Sequence, residues 1–250
     1  MAVTRRWWLS GVVGVVLAGC VAGATDSAPT SGAADVAVTS TAAGSAAPST
    51  AAVSGLPDVV TTTPATLQAA PCHVVAIGDS VGSGLIRNGL DESLAAVGCG
   101  LLWAGGRPGI TVTQGATELG RASDVSAEVA LVILGYHNTR SETQSGRFPS
   151  LIDTVMKAAR DRTVVWPLLG ATLDCTDSYK TAAGVANDNL RDARVRWPNL
   201  VLVDYASLLA AHPEYSEQRC PHLLAVGSRA VATWLAGQVR AAVDSASTPA

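Results

Sequence analysis

Beyond residue 20 the 250-residue sequence has no uncharged apolar run of about 18 residues, so no later segment reads as a membrane-spanning helix. It also has no excess of basic residues. Lys and Arg number 17 against 20 Asp and Glu, a formal net charge of -3, which is not the electrostatic footprint of a nucleic-acid binder. No G-x-x-x-x-G-K-[ST] loop, no H-E-x-x-H pair and no C-x-x-C or paired Cys/His spacing occurs, so neither a cofactor nor a catalytic metal is expected. No internal repeat of roughly 20 to 50 residues is present, which argues against a solenoid or propeller.

What is present is a sequence that changes character along its length. The apolar fraction is 48%, enough for one core. Mean hydropathy is +0.29, but Ala, Gly and Val carry much of it and are dispersed. Residues 1–20 read as an export signal: Arg5 and Arg6, an apolar run from Trp7 to Leu17, then Leu17-Ala18-Gly19-Cys20. This ending resembles the lipobox of bacterial lipoproteins. It implies lipidation of Cys20 and anchoring at the extracytoplasmic face of the cell membrane; a plain secretory signal is the competing reading. Thr4 to Leu9 also resembles a twin-arginine signal. Residues 21–66, almost entirely Ala, Ser, Thr, Gly, Val and Pro with no Lys or Arg, cannot bury enough apolar area to offset ordering entropy. They read as a disordered tether reaching on the order of 40 Å as a coil, or as a mucin-like stalk. The folded domain is expected over residues 67–244, with a disordered tail at 245–250.

Within that domain, strand-like runs at His73 to Gly78, Gly100 to Ala104, Val129 to Leu134, Thr163 to Leu169 and Leu200 to Asp204 alternate with helical segments. The helices are expected at Leu85 to Val97, Val112 to Arg121, Leu151 to Asp161, Tyr179 to Trp197 and Val226 to Val243. The last puts Val231, Trp234, Leu235, Val239, Ala242 and Val243 on one face. Alternation of this kind predicts an α/β fold: a three-layer, doubly wound parallel sheet of about five strands, with its ligand site beyond the strand C-termini.

The chemistry points to that end of the sheet. The apolar run His73 to Ile77 stops at Gly78-Asp79-Ser80-Val81-Gly82, where helical spacing begins. A serine at such a turn is exposed beside the unpaired N–H groups and positive dipole end of a helix, which suits a nucleophile whose product is an oxyanion. An ordinary N-cap is the bland alternative. The segment formally satisfies the G-x-S-x-G elbow of α/β-hydrolases, but the strands that must precede that elbow have no room before Ser80. It resembles instead the first block of the SGNH (GDSL-type) hydrolases, where the nucleophile follows the first strand of a flavodoxin-like domain. The resemblance covers roughly Cys72 to Val243.

A serine needs a base, and there are four histidines. His73 and His212 sit at element ends, where structural roles are expected. His222, in Arg219-Cys220-Pro221-His222-Leu223, matches the last block of the family, D-x-x-H-L followed by a helix, and is the base the resemblance implies. The family's acid is replaced by Arg219. Three outcomes are open: a backbone carbonyl takes the Nδ1 proton, another acid such as Asp174, Asp177 or Glu217 takes it, or catalysis is lost. For the oxyanion hole the resemblance implies the Ser80 amide, Gly106 with Gly109 second, and Asn138, although His137 occupies the position where the family's asparagine usually stands. Of the cysteines besides Cys20, the favoured pairs are Cys72 with Cys99, which flank the first two strands, and Cys175 with Cys220, both in loops near the site.

The expected function is an envelope-anchored serine esterase or O-acyltransferase acting on an acylated envelope glycan, lipid or small ester. The alternative is a catalytically degenerate SGNH-like module that binds an envelope glycan or a partner protein.

Overall fold

The structure is a computed structural model and describes residues 70–137 and 139–247. The leader, Cys20, the tether at residues 21–66 and Asn138 lie outside the described residues. Five strands form one parallel sheet in the order β2-β1-β3-β4-β5: β1 His73–Gly78, β2 Gly100–Gly106, β3 Val129–Ile133, β4 Thr163–Pro167 and β5 Leu200–Val203. The five strand positions agree with the runs expected from sequence. The central strands carry no polar alternation because both of their faces are covered: Val74 to Ile77 and Val129 to Ile133 are all buried.

The helices form two layers. On one side α1 Ser80–Arg87 and α2 Leu90–Ala96 pack against α8 Ala225–Ser247. On the other, α3 Val112–Arg121 packs on α5 Phe148–Ala159, and α6 Asp177–Arg196 contacts both α5 and the short α4 Thr139–Gln144. A further helix, α7 Tyr205–Ala211, and a 3-10 turn at Pro213–Tyr215 follow β5.

The sequence expectation departs from the structure at particular points. The single helix expected from Leu85 to Val97 is two, interrupted at Asn88-Gly89, where Gly89 has φ +102 in the left-handed region open to glycine. The first of them begins earlier, at Ser80 itself. Two short helices, α4 and α7, were not expected; each is too short for a clear helical period. α8 continues to Ser247, past residue 244 where the domain was expected to end. Its apolar face does form as read: Val231, Leu235, Val239, Ala242 and Val243 are buried, and Trp234 lies against Tyr205 with ring centroids 6.4 Å apart.

Both disulfides occur in the pairings favoured from sequence, Cys72–Cys99 and Cys175–Cys220. The first ties the segments entering β1 and β2, at the end of the sheet away from Ser80. The second ties the loop after β4 to the segment carrying His222. Two disulfides suit an extracytoplasmic protein.

Candidate active site

The strand order reverses between β1 and β3, and all loops leaving the C-terminal ends of a parallel sheet gather on one side, so the segments after β1, β2 and β3 meet there. At the end of β1 the turn into α1 is unusually close: a Cβ on Gly78 would come within 2.6 Å of Gly82 Cα, so only glycine lets the helix start against the strand. Asp79 is the N-cap and Ser80 the first helical residue.

Asp79 is fully buried. Its Oδ1 accepts the Val81 N–H at 3.1 Å, and its Oδ2 accepts the N–H groups of Tyr136 at 2.8 Å and His137 at 3.3 Å. One carboxylate thus joins the Ser80 turn to the loop after β3. Burial pushes its pKa up to about 6, against the lowering effect of those N–H donors, and at neutral pH it is ionised and acts as a pure acceptor. Around it stand Tyr136 and Tyr205, both buried, and the half-buried Tyr179, and desolvation drives their hydroxyls upward.

Ser80 and His222 line one cavity of about 180 Å³, together with Gly84, Arg87, Asn88 and Ser228 among others. His222 lies on the segment between the 3-10 turn and α8. That segment is held by a bridge pairing Ser216 with Leu223, by Leu224 N–H on the Tyr215 carbonyl at 2.9 Å, and by the Cys175–Cys220 disulfide. The His222 Nδ1 is 3.1 Å from the carbonyl oxygen of Arg219. A carbonyl only accepts, so Nδ1 carries the proton and Nε2 is left with its lone pair. Among the described residues no carboxylate pairs with His222. Of the acids considered, Asp174 is engaged elsewhere: the Thr172 hydroxyl, and the Ser216 hydroxyl at 2.9 Å, hold its carboxyl below the usual range. Asp177 opens α6, and Glu217 lines the cavity without pairing to the imidazole. Of the two possible partners for Nδ1, a backbone carbonyl or another acid, the structure places the Arg219 carbonyl there.

Gly106 does not stand free as an oxyanion donor. Its N–H donates to Glu118 Oε2 at 3.0 Å, and the same carboxylate pairs with Arg107. With φ +99 and a Cβ direction running into the Gly78 carbonyl, Gly106 is a glycine because β2 crowds β1 there. Gly109, at φ +80, has no partner for its N–H among the described residues, and its α-carbon faces the His137 ring: a Cβ there would lie 3.7 Å from Cε1. Of the two glycines, Gly109 is the one whose N–H has no partner among the described residues. His137 is exposed, with its backbone fixed by Asp79. The other histidines are occupied locally: His73 with Glu128 at 3.1 Å, and His212 with Glu214 at 2.9 Å and stacked on Tyr215.

Arg87, Asn88 and Ser228 were missed from the sequence. The signal for the first two was there, since Ser80, Gly84, Arg87 and Asn88 recur at helical spacing on one face. Among the described residues no group of three or more His, Cys, Asp or Glu is placed to hold a metal ion. A larger cavity of about 580 Å³ runs between β5 and the last turns of α8, but its walls hold no histidine, cysteine or charged group.

No family model matches the chain, and no curated protein matches it in sequence. Solved structures do. The C-terminal catalytic domain of peptidoglycan O-acetyltransferase A from Streptococcus pneumoniae aligns at 16% identity over 70% of this chain and 94% of its own, with a TM-score of 0.54. A lipolytic protein of the G-D-S-L family from Veillonella parvula aligns at 15% identity over 67% and 97%, TM-score 0.55. A family 3 carbohydrate esterase from Clostridium thermocellum aligns at 16% identity over 68% and 98%, TM-score 0.51. With its five-stranded parallel sheet, its two helical layers and these structural neighbours, the chain has the fold of the SGNH hydrolases.

Proposed function

We propose that this protein is a serine esterase or O-acyltransferase acting on O-acyl esters, with Ser80 as nucleophile and His222 as general base. The observation that carries the reading is the shared cavity of Ser80 and His222, with the Nδ1 proton of His222 on the Arg219 carbonyl and the lone pair of the neutral imidazole on Nε2. In the acylation step Ser80 Oγ adds to the ester carbonyl carbon while Nε2 takes the hydroxyl proton. The resulting oxyanion is held by the N–H groups of Ser80 and Gly109 and by the side chain of Asn138 or His137. Collapse of the intermediate expels the alcohol, which takes the proton from Nε2, and leaves the acyl group on Ser80. A water molecule, or a hydroxyl of a second glycan, then gives its proton to Nε2 as its oxygen adds to the acyl carbon, and collapse of that intermediate expels the Ser80 oxygen, which takes the proton back from Nε2 and restores both the serine and the neutral imidazole.

In this account the Arg219 carbonyl is a dipole where the family has a carboxylate. It fixes the tautomer but stabilises the imidazolium less than a full charge would. The glycan-directed structural neighbours, and an extracytoplasmic location consistent with two disulfides, support an acylated envelope glycan as substrate. The leader and Cys20 add an expected lipid anchor. The second reading, a non-catalytic glycan-binding module, is favoured by the absence of a carboxylate on His222 among the described residues. Incubation with O-acetylated glycans, following free acetate and acetyl transfer by mass spectrometry, separates them: the enzyme reading requires Ser80-dependent movement of the acyl group, and no movement from any ester overturns it.

A further inference from the structure

The cavity that holds Ser80 does not end at the serine. Arg87 and Asn88 are shared with a second cavity of about 430 Å³, whose walls also include Glu92, Ser93, Arg229 and Thr233. Arg87 lies at i+7 from Ser80 on the same helix, about 10 Å along its axis at 1.5 Å per residue. Polar groups line the way. The Asn88 amide donates to the Gly84 carbonyl at 2.7 Å, which leaves its oxygen as an acceptor. The Ser93 and Thr233 hydroxyls face one another across α2 and α8 at 3.3 Å.

The two arginines are chemically unspent. Arg107, Arg191, Arg196 and Arg240 each pair with a carboxylate, and buried Arg162 donates to carbonyls. The guanidiniums of Arg87 and Arg229 have no hydrogen-bond or ion-pair partner among the described residues. Glu92 and Glu217 border the cavities without pairing to either. A guanidinium stays charged and offers five N–H donors in a planar fork that fits carboxylate and phosphate oxygens. In a chain of net charge -3, two such groups lie in the groove that leads from the nucleophile.

We infer that this groove is a subsite for an anionic glycan: the carrier of the acyl ester runs from Ser80 past Asn88, and a carboxylate or phosphodiester on it binds between Arg87 and Arg229. The inference rests on the proposed esterase or transferase reading for the position of the ester, and it deepens that reading by naming the class of carrier. The anion's chemistry is common to uronic-acid polymers and to polyol-phosphate polymers, so both serve as probes.

The test is calorimetric titration of the Ser80→Ala protein with an oligogalacturonate, a glycerol-phosphate oligomer and a neutral xylo-oligosaccharide, at low and high salt. At least one anionic oligomer is expected to bind tenfold or more tightly than the neutral one, with the preference shrinking as salt rises. The double variant Arg87→Gln, Arg229→Gln should lose at least tenfold of that binding, and the double lysine variant should recover part of it. Whichever anionic oligomer binds identifies the source. Equal binding of the neutral oligomer, no binding of either anionic one, or an unaffected glutamine variant overturns the inference. A fluorophosphonate probe on the wild-type chain keeps the two failures apart: labelling of Ser80 without anionic preference sinks only the subsite, whereas anionic preference without labelling sinks only the enzyme.

Discussion

Replacing Asp79 by asparagine tests the balance of forces beneath the nucleophile. Two effects compete at this carboxyl group: burial favours the neutral acid, and the N–H donors of Val81, Tyr136 and His137 favour the ion. Burial wins, lifting the pKa from 3.8 to about 6. At 1.36 kcal/mol per tenfold, that difference corresponds to about 3 kcal/mol. The folded state binds this proton more tightly than the unfolded chain. The stabilisation is therefore fully present below pH about 4 and is lost as pH rises through about 6. The asparagine side chain of the variant cannot titrate. Its NH2 also faces N–H groups where a carboxylate oxygen accepted them, a pH-independent loss of about 1–3 kcal/mol. Urea unfolding of both proteins from pH 4 to pH 8 gives the difference in stability at each pH, and groups common to both cancel. The margin by which wild type exceeds Asp79→Asn should shrink by about 2.4 kcal/mol between pH 4 and pH 7 and stay level above. A flat margin would refute the shift, and a margin that grows with pH would mean that the N–H donors outweigh burial.

The two disulfides separate stability from activity. Chain entropy gives about 4 kcal/mol for the 45-residue separation of Cys175–Cys220 and about 3.5 kcal/mol for the 27-residue separation of Cys72–Cys99. Paired serine replacements should thus lower stability similarly, while only the loss of Cys175–Cys220 should also cut kcat/KM in the surviving folded protein. Because the acceptor of the His222 Nδ1 proton is main chain, Arg219→Ala should hold kcat/KM within about threefold, whereas His222→Ala should lose about a thousandfold or more. Gly106→Ala must fit a Cβ against the Gly78 carbonyl at φ +99, so it should destabilise by about 3 kcal/mol or more in thermal unfolding.

The layers of this fold were legible in sequence because a parallel sheet buried on both faces writes its strands as short apolar runs, and those from His73, Val129 and Leu200 needed no further context. Ser80 was legible for a related reason: a strand ending at Gly78 with helical spacing after it leaves only a tight turn between. The helix break at Asn88-Gly89 was missed because the apolar residues on either side, Leu85, Leu90 and Leu94, keep facing the same core across it. Gly106 and Gly109 could not be separated by spacing alone. What separates them is Glu118, which lies on the following helix and takes the Gly106 N–H. The same limit applied to Arg219: its side chain suggested the loss of the acid, while its carbonyl, invisible in a one-letter code, holds the imidazole.

The central claim is that Ser80 is an activated nucleophile served by His222 without a carboxylate, and fluorophosphonate labelling of the purified protein tests it most directly, with Ser80→Ala, His222→Ala and Arg219→Ala run alongside and folding checked by circular dichroism. The account predicts labelling of wild type and Arg219→Ala and none of Ser80→Ala or His222→Ala. Folded wild-type protein that takes up no probe, or labelling that survives the loss of either Ser80 or His222, would contradict it.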